Sequence, residues 1–308
     1  MRIRVWLAAC MVGVLTACAN APVQMPPGPP PPTAGAVALP TTPTPQSPPK
    51  LALVLGGGGT RGFSHVGVIK VLDAQGIRPD LIVGTSAGSA VGALYAYGFT
   101  GLQLQTLALP LQRDTMLTWI VPDMGFASGE PLQQFVNAQL KQTPIEKLAT
   151  SFAAVATDLK TGQPVVFRRG NTGQAVRASC AVPGLFQPVR IGARSFVDGG
   201  LVFPVPVSVA KDLGATFIVA VNISNKPSQN DTDSLTKIML QTFDIMGEAI
   251  NRHELSGADV VIQPTTKDIN QTDLSSKDLA IIEGEKAASL ALPELLRKLK
   301  AAGFQLSR

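Results

Sequence analysis

Apolar side chains along this chain follow two rhythms. Residues 51–55, Leu-Ala-Leu-Val-Leu, form an unbroken apolar run that stops in glycine, the pattern of a strand buried on both faces. Residues 65–75 then set Val66, Val68, Ile69, Val71 and Leu72 at helical spacing, with Gly76 placed to stop the helix. A second apolar strand at 80–83 leads into a small-residue helix at 86–97 that ends at Gly98. Two successive strand–turn–helix units predict an α/β domain with a mainly parallel sheet. Further strands are expected at 152–156, 165–167, 195–197, 217–221 and 260–262, and helices at 235–255 and 277–300. Pro293 should break or restart the second of these helices. Residues 99–135 are less regular. Leu107, Leu109, Leu111, Met116, Leu117, Trp119, Ile120 and Val121 are interrupted by Pro110 and Pro122, which reads as a mobile cap over a site or as a packed helix pair.

The first 49 residues have a different texture. Arg2 and Arg4 precede a short apolar stretch at 5–14, and Leu15-Thr16-Ala17 then runs into Cys18. This stretch is too short to span a bilayer and has the layout of an export signal. Its end is similar to a bacterial lipobox, so residues 1–18 are read as a lipoprotein signal peptide with Cys18 as the acylated residue. Residues 19–49 hold 12 of the chain's 25 prolines and read as an extended linker. Residues 50–308 form the folded domain. The expected location is the bacterial cell envelope, attached to membrane through the N-terminal lipid. Ala19, where an Asp signals inner-membrane retention in enteric bacteria, favours the outer membrane.

Charged residues are only 15% of the chain and hydrophobic ones 45%, which allows a large core and excludes global disorder. The net charge is +5, and without Arg2 and Arg4 the balance is 24 basic to 21 acidic side chains, or +3. The basic residues are scattered, with no aromatic-interleaved block, so nucleic-acid binding is not supported. Cys10 would leave with the signal and Cys18 would carry lipid, leaving Cys180 without a disulfide partner. Cys180 sits in an apolar stretch and reads as a small buried residue.

Three pieces carry candidate chemistry. Gly84-Thr85-Ser86-Ala87-Gly88 follows a predicted strand and opens a predicted helix, the setting of a nucleophile elbow. Bare neighbours let the backbone turn sharply at Ser86, and the helix N-terminus aims its positive end at the reacting oxygen. The second piece is Gly56-Gly57-Gly58-Gly59-Thr60-Arg61-Gly62, whose N–H groups suit an oxyanion hole. The same loop matches the G-x-G-x-x-G dinucleotide pattern through Gly57, Gly59 and Gly62, but Asp80 starts the next strand rather than ending it, and the serine elbow would go unused. The third piece is Asp198-Gly199-Gly200, where a carboxylate at a strand end could accept the Ser86 proton, or which could be an ordinary Asp-Gly turn.

In this order the glycine loop, the GTSAG elbow and the DGG turn resemble the patatin-like phospholipase family. The stretch from Arg177 through Ser179, Cys180, Pro183 and Phe186 to Pro188 is similar to a block that precedes the catalytic Asp in bacterial members. The resemblance covers roughly residues 51–265. It implies a three-layer patatin-like α/β fold with a central, mainly parallel sheet flanked by helices. It also implies a Ser86–Asp198 dyad, oxyanion stabilisation by Gly57, Gly58 and Gly59, supporting roles for Arg61, Gly62, Gly84, Gly88, Gly199 and Gly200, and no cofactor or metal. The substrate would be a lipid or other acyl ester, of the phospholipid or lysophospholipid class. Plant patatins carry Asp where this chain has Gly56, a position that does no chemistry.

Two other readings stay open on the residues alone. The order Ser86, Asp198, His253 fits a Ser-Asp-His triad, although His253 falls in an amphipathic helix pattern rather than on a loop. A catalytically silent, lipid-binding envelope lipoprotein would keep the fold without turnover. The other histidine, His65, opens the helix after the glycine loop and reads as a supporting hydrogen-bonder.

Overall fold

The computed structural model describes residues 50–111, 127–227, 232–269 and 274–305. The signal, the linker and Cys18 fall outside them, as do Met116, Leu117, Trp119, Ile120 and Val121 of the expected cap.

The described residues contain an eight-stranded sheet of order β5-β6-β3-β2-β1-β7-β8, with β4 paired to β3 off this path. The strands are β1 (Leu51–Leu55), β2 (Leu81–Thr85), β3 (Ser151–Asp158), β4 (Pro164–Phe167), β5 (Val189–Ile191), β6 (Arg194–Asp198), β7 (Phe217–Val221) and β8 (Val260–Ile262). The run β3-β2-β1-β7-β8 is parallel, whereas β4, β5 and β6 enter antiparallel. The sheet is therefore mixed and mostly parallel, as the alternating pattern predicts. The helices are α1 (Phe63–Ala74), α2 (Ala87–Tyr97), α3 (Gly101–Ala108), α4 (Glu130–Gln139), α5 (Thr172–Ser179), α6 (Val207–Asp212), α7 (Leu235–Glu254) and α8 (Lys277–Ala301).

Period-two alternation explains why β1 is apolar throughout. Leu51, Leu53 and Leu55 face one core with Val66, Ile69 and Leu94 of the helices, while Ala52 and Val54 face a second core with Val207 and Val209 of α6. Both faces of the sheet are thus covered by helices, giving three layers. The chain leaves β1 towards β2 on one side and later returns as β7 on the other. The carboxyl end of β1 is therefore a topological switch point, where a crevice opens between diverging connections.

Pro293 does not break α8, contrary to the sequence expectation. Pro293 and Ser289, four residues earlier, are both exposed, so water meets the carbonyl that loses its partner. The buried face of α8 continues on either side through Ile281, Gly284, Ala288, Leu295 and Leu299 and holds the helix together. At Gly284 that face approaches α1 so closely that a Cβ would lie 2.0 Å from Ser64 O.

Candidate active site

β1 and β2 end side by side, with Leu55 opposite Gly84, and each delivers one of the chemical loops. The chain after β2 turns at Ser86 with φ 52° and ψ −126°, a left-handed backbone unusual for a residue with a side chain. Two features hold this strained turn. The helix behind it passes so close to β1 that a Cβ on Gly88 would lie 2.1 Å from Leu55 O, so only glycine fits. The Ser86 N–H donates at 2.9 Å to Ser179 Oγ, which itself donates at 2.6 Å to Val155 O.

Asp198 ends β6, two strands from β2 with β3 between them. Two strand spacings are about 10 Å of backbone, which the elbow and the Asp198 side chain close over the end of β3. The backbone of Asp198 is pinned on both sides: its N–H donates to Ala181 O at 2.9 Å, and its carbonyl accepts from Thr157 Oγ1 at 2.8 Å. The next residue must be glycine, because a Cβ on Gly199 would lie 2.2 Å from Val155 O. Asp198 Oδ1 accepts from the Gly200 N–H at 2.7 Å, while buried Oδ2 has no hydrogen-bond partner among the described residues. Burial raises the Asp198 pKa to about 6, an effect that Ser86 and the Gly200 N–H partly offset. Ser86 and Asp198 line the same cavity. Catalytic hydrogen bonds commonly tighten only when substrate is seated.

The glycine loop is tied to the same centre. Gly57 N–H donates to Pro204 O at 2.9 Å, and Thr85 Oγ1 donates to Phe203 O at 2.8 Å. The loop after Asp198 is therefore fastened to both the glycine loop and the elbow. This changes one expectation: the Gly57 N–H is already committed and does not face an oxyanion. The N–H groups of Gly58 and Gly59 have no acceptor among the described residues, and both residues line the cavity with Ser86 and Asp198.

Arg61 sets the direction of the Gly59 donor. It is only 1% exposed, and its Nε and backbone N–H both donate to Gly58 O, at 3.1 and 3.2 Å. In a trans peptide the C=O and N–H point in opposite directions. Holding Gly58 O on Arg61 therefore turns the Gly59 N–H the other way. The guanidinium reaches Asp244 of α7 at 3.4 Å. Asn225, its amide orientation assigned from its hydrogen bonds, accepts from Arg61 Nη1 at 3.2 Å. Burial lowers the Arg61 pKa, an effect that Asp244 only partly offsets.

Neither histidine reaches the serine. His65 is buried, with Nε2 donating to Gly56 O at 2.8 Å, and burial lowers its pKa to about 4, so it supports the glycine loop as a neutral ring. His253 is exposed on α7 and is not among the residues lining the cavity. Cys180 is half-buried rather than buried, because it walls a second cavity; burial and the Asp198 charge raise its thiol above the ordinary value.

Two cavities meet at Ser86. A smaller one of about 90 Å³ holds Gly58, Gly59, Ser86 and Asp198. A larger one of about 230 Å³ runs from Ser86 and is walled by Phe63, Val91, Leu94, Leu104, Phe135 and Phe186 among others. Residues 99–135 contribute to it through α3, Leu107, Leu111 and α4.

A patatin-like phospholipase family model matches residues 53–211, more than half of the chain and the whole of the Ser86–Asp198 centre. The chain belongs to the patatin-like phospholipase family. An uncharacterized NTE family protein of Mycobacterium tuberculosis is 30% identical over 277 residues, covering 80% of this chain and 48% of that protein. The mouse patatin-like phospholipase domain-containing protein 6 is 31% identical over 194 residues, covering 60% of this chain and 14% of that protein. The chain thus spans about half the length of its mycobacterial relative. VipD from Legionella pneumophila aligns with a TM-score of 0.55 at 15% identity, over 80% of this chain and 67% of that one, a likeness of fold.

Ser179 is the positioning residue that motif reading did not single out. Its signal was its place in the block before the patatin aspartate; its role needed the Ser86–Val155 geometry. Ser179→Ala leaves a buried N–H and a buried C=O unpartnered, each at about 1–3 kcal/mol. We expect a lower urea midpoint together with at least about a tenfold fall in kcat at nearly constant KM. Loss of stability with kcat unchanged would show that the elbow holds its shape without this bond.

Proposed function

We propose that this chain hydrolyses carboxylic esters of lipids through a Ser86–Asp198 dyad and an acyl-enzyme intermediate. The observation that carries this reading is the strained Ser86 beside an unpartnered Asp198 oxygen, at the point where an apolar cavity meets two free backbone N–H groups. The acyl chain lies in the apolar cavity and the ester carbonyl sits at Ser86. Ser86 Oγ attacks the carbonyl carbon and its proton passes to Asp198. The carbonyl oxygen becomes an oxyanion held by the Gly58 and Gly59 N–H groups and by the positive end of α2. The C–O bond to the leaving alcohol breaks, and Asp198 returns the proton to that oxygen. Water then attacks the acyl-serine carbonyl, gives its proton to Asp198, and the fatty acid leaves as Ser86 recovers its proton. With a pKa of about 6, Asp198 is largely ionised at neutral pH and still basic enough to take the proton.

The test uses the full chain on p-nitrophenyl esters of four, eight and twelve carbons. Wild-type kcat/KM should rise steeply with chain length, up to about fourfold per methylene that enters the apolar cavity, from about 0.8 kcal/mol each. Ser86→Ala should abolish turnover and labelling by a fluorophosphonate probe, and His253→Ala should leave both within about twofold, because nothing places that ring in the chemistry. Loss of turnover in a folded His253→Ala chain would move the reading to a triad. A wild type inert to the esters and to the probe would remove the hydrolase reading.

A further inference from the structure

Helix α7 roofs the site, and both of its faces are apolar. Its inner face sets Leu240, Phe243, Asp244 and Gly247 into the cavity that holds Ser86 and Asp198. Its outer face carries Leu235, Ile238, Ile245 and Met246, which are 75%, 48%, 53% and 42% exposed. The first three stand at i, i+3 and i+10, with exposed Thr242 at i+7, so they form one stripe along the helix. The charged pairs sit at its two ends, Asp233 with Lys237 and Glu248 with Arg252. Single exposed leucines on a protein surface need no explanation. Four large apolar side chains within twelve residues of one helix do, because a helix apolar on both faces is normally covered on both.

We propose that the outer face of α7 docks on a lipid surface and that this docking presents the site to its substrate. This rests on the lipid-ester reading of the site. The stripe lies on the same helix whose Leu240 and Phe243 line the cavity at Ser86, so docking there brings a lipid surface within one helix of the site. An amphipathic helix lying in the interface with its apolar face in the acyl boundary is a recognised mode of membrane attachment. The inner face couples docking to chemistry. Asp244 holds Arg61, and Arg61 holds the carbonyl of Gly58. Met239 packs over Gly184 in the loop between Ser179 and Asp198, which seats α7 on the segment that carries the base.

The experiment compares the full chain with an Ile238→Gln/Ile245→Gln variant. Both carry Cys18→Ala, so that no acyl anchor contributes, and Ser86→Ala copies are used for binding. Binding is measured by flotation with phosphatidylcholine vesicles, and turnover on both a soluble four-carbon ester and vesicular phospholipid. The expected result is at least about a tenfold loss of vesicle partition and vesicle turnover, with soluble-ester turnover unchanged within about twofold. Binding is read on chains without Ser86, so failure of the hydrolase reading leaves the docking test intact. Equal partition of variant and parent overturns the proposal, as does a parent that does not float with vesicles. A parent that is dimeric in sedimentation, with a monomeric variant and unchanged vesicle partition, overturns it in favour of a second copy on the stripe.

Discussion

Asp198→Asn should leave a chain that is nearly inactive yet more stable than wild type at pH 8. Burial raises this carboxyl from 3.8 to about 6 in the folded state. A raised folded pKa means that the group's favourable contribution is fully present below pH 3.8 and is lost as pH rises through about 6. Holding the side chain ionised at pH 8 therefore costs the fold on the order of 3 kcal/mol. Asparagine cannot ionise, so the variant should gain up to that amount at pH 8 and little at pH 4, where Asp198 is already neutral. Its Oδ1 can still accept from the Gly200 N–H, which keeps the turn. Turnover should fall by at least about 10³-fold, the upper range for removal of a general base. In the wild type, kcat/KM should drop as pH falls below about 6. Urea midpoints at both pH values, with kcat alongside, check this. A variant that keeps turnover, or is no more stable at pH 8, would mean that Asp198 is not a buried ionised base.

Arg61 should prove to have two separable roles. Arg61→Met deletes the buried cation that pairs with Asp244 and removes the Nε bond to Gly58 O. Breaking a buried pair by deleting one partner costs about 3–5 kcal/mol, and a misdirected oxyanion donor costs about 10²–10³ in kcat. Adding Asp244→Leu replaces the ion pair by an apolar pair and should return part of the stability, since a buried ion pair and an apolar pair of similar size are often close in energy. It cannot return the Nε bond to Gly58 O, which leaves that carbonyl on the backbone N–H of residue 61 alone, so kcat should stay low. Recovery of both stability and kcat in the double variant would show that Arg61 acts only on the fold.

Much of this was legible in the chain itself. Strands β1, β7 and β8 fall where unbroken apolar runs predict them, because a strand covered on both faces must be apolar at every position. The serine elbow was legible because its demands are local: a sharp turn needs bare neighbours, and Gly84, Ala87 and Gly88 supply them. The short helices α5 and α6 and strand β5 were not, because six to eight residues, or three, hold too few periods to stand out from loop. Helix α7 was legible as an element, but not which of its apolar faces would be left uncovered.

The relations between segments distant in sequence were not legible there and came from the packing of the whole domain. An Asp-Gly-Gly turn is common, and nothing near Asp198 says that it faces Ser86. That follows from β6 lying antiparallel to β3, which lies parallel to β2. The glycine loop looked like three equivalent donors until Pro204 O took the Gly57 N–H and left the other two. Pro293 stayed within its helix because the packed face of α8 outweighs one lost hydrogen bond at an exposed site. Sequence periodicity determines what each segment can be, since it acts through backbone geometry over a few residues. Which groups meet, and which remain free to react, depends on strand order and register, and these are set by burial summed over the whole domain.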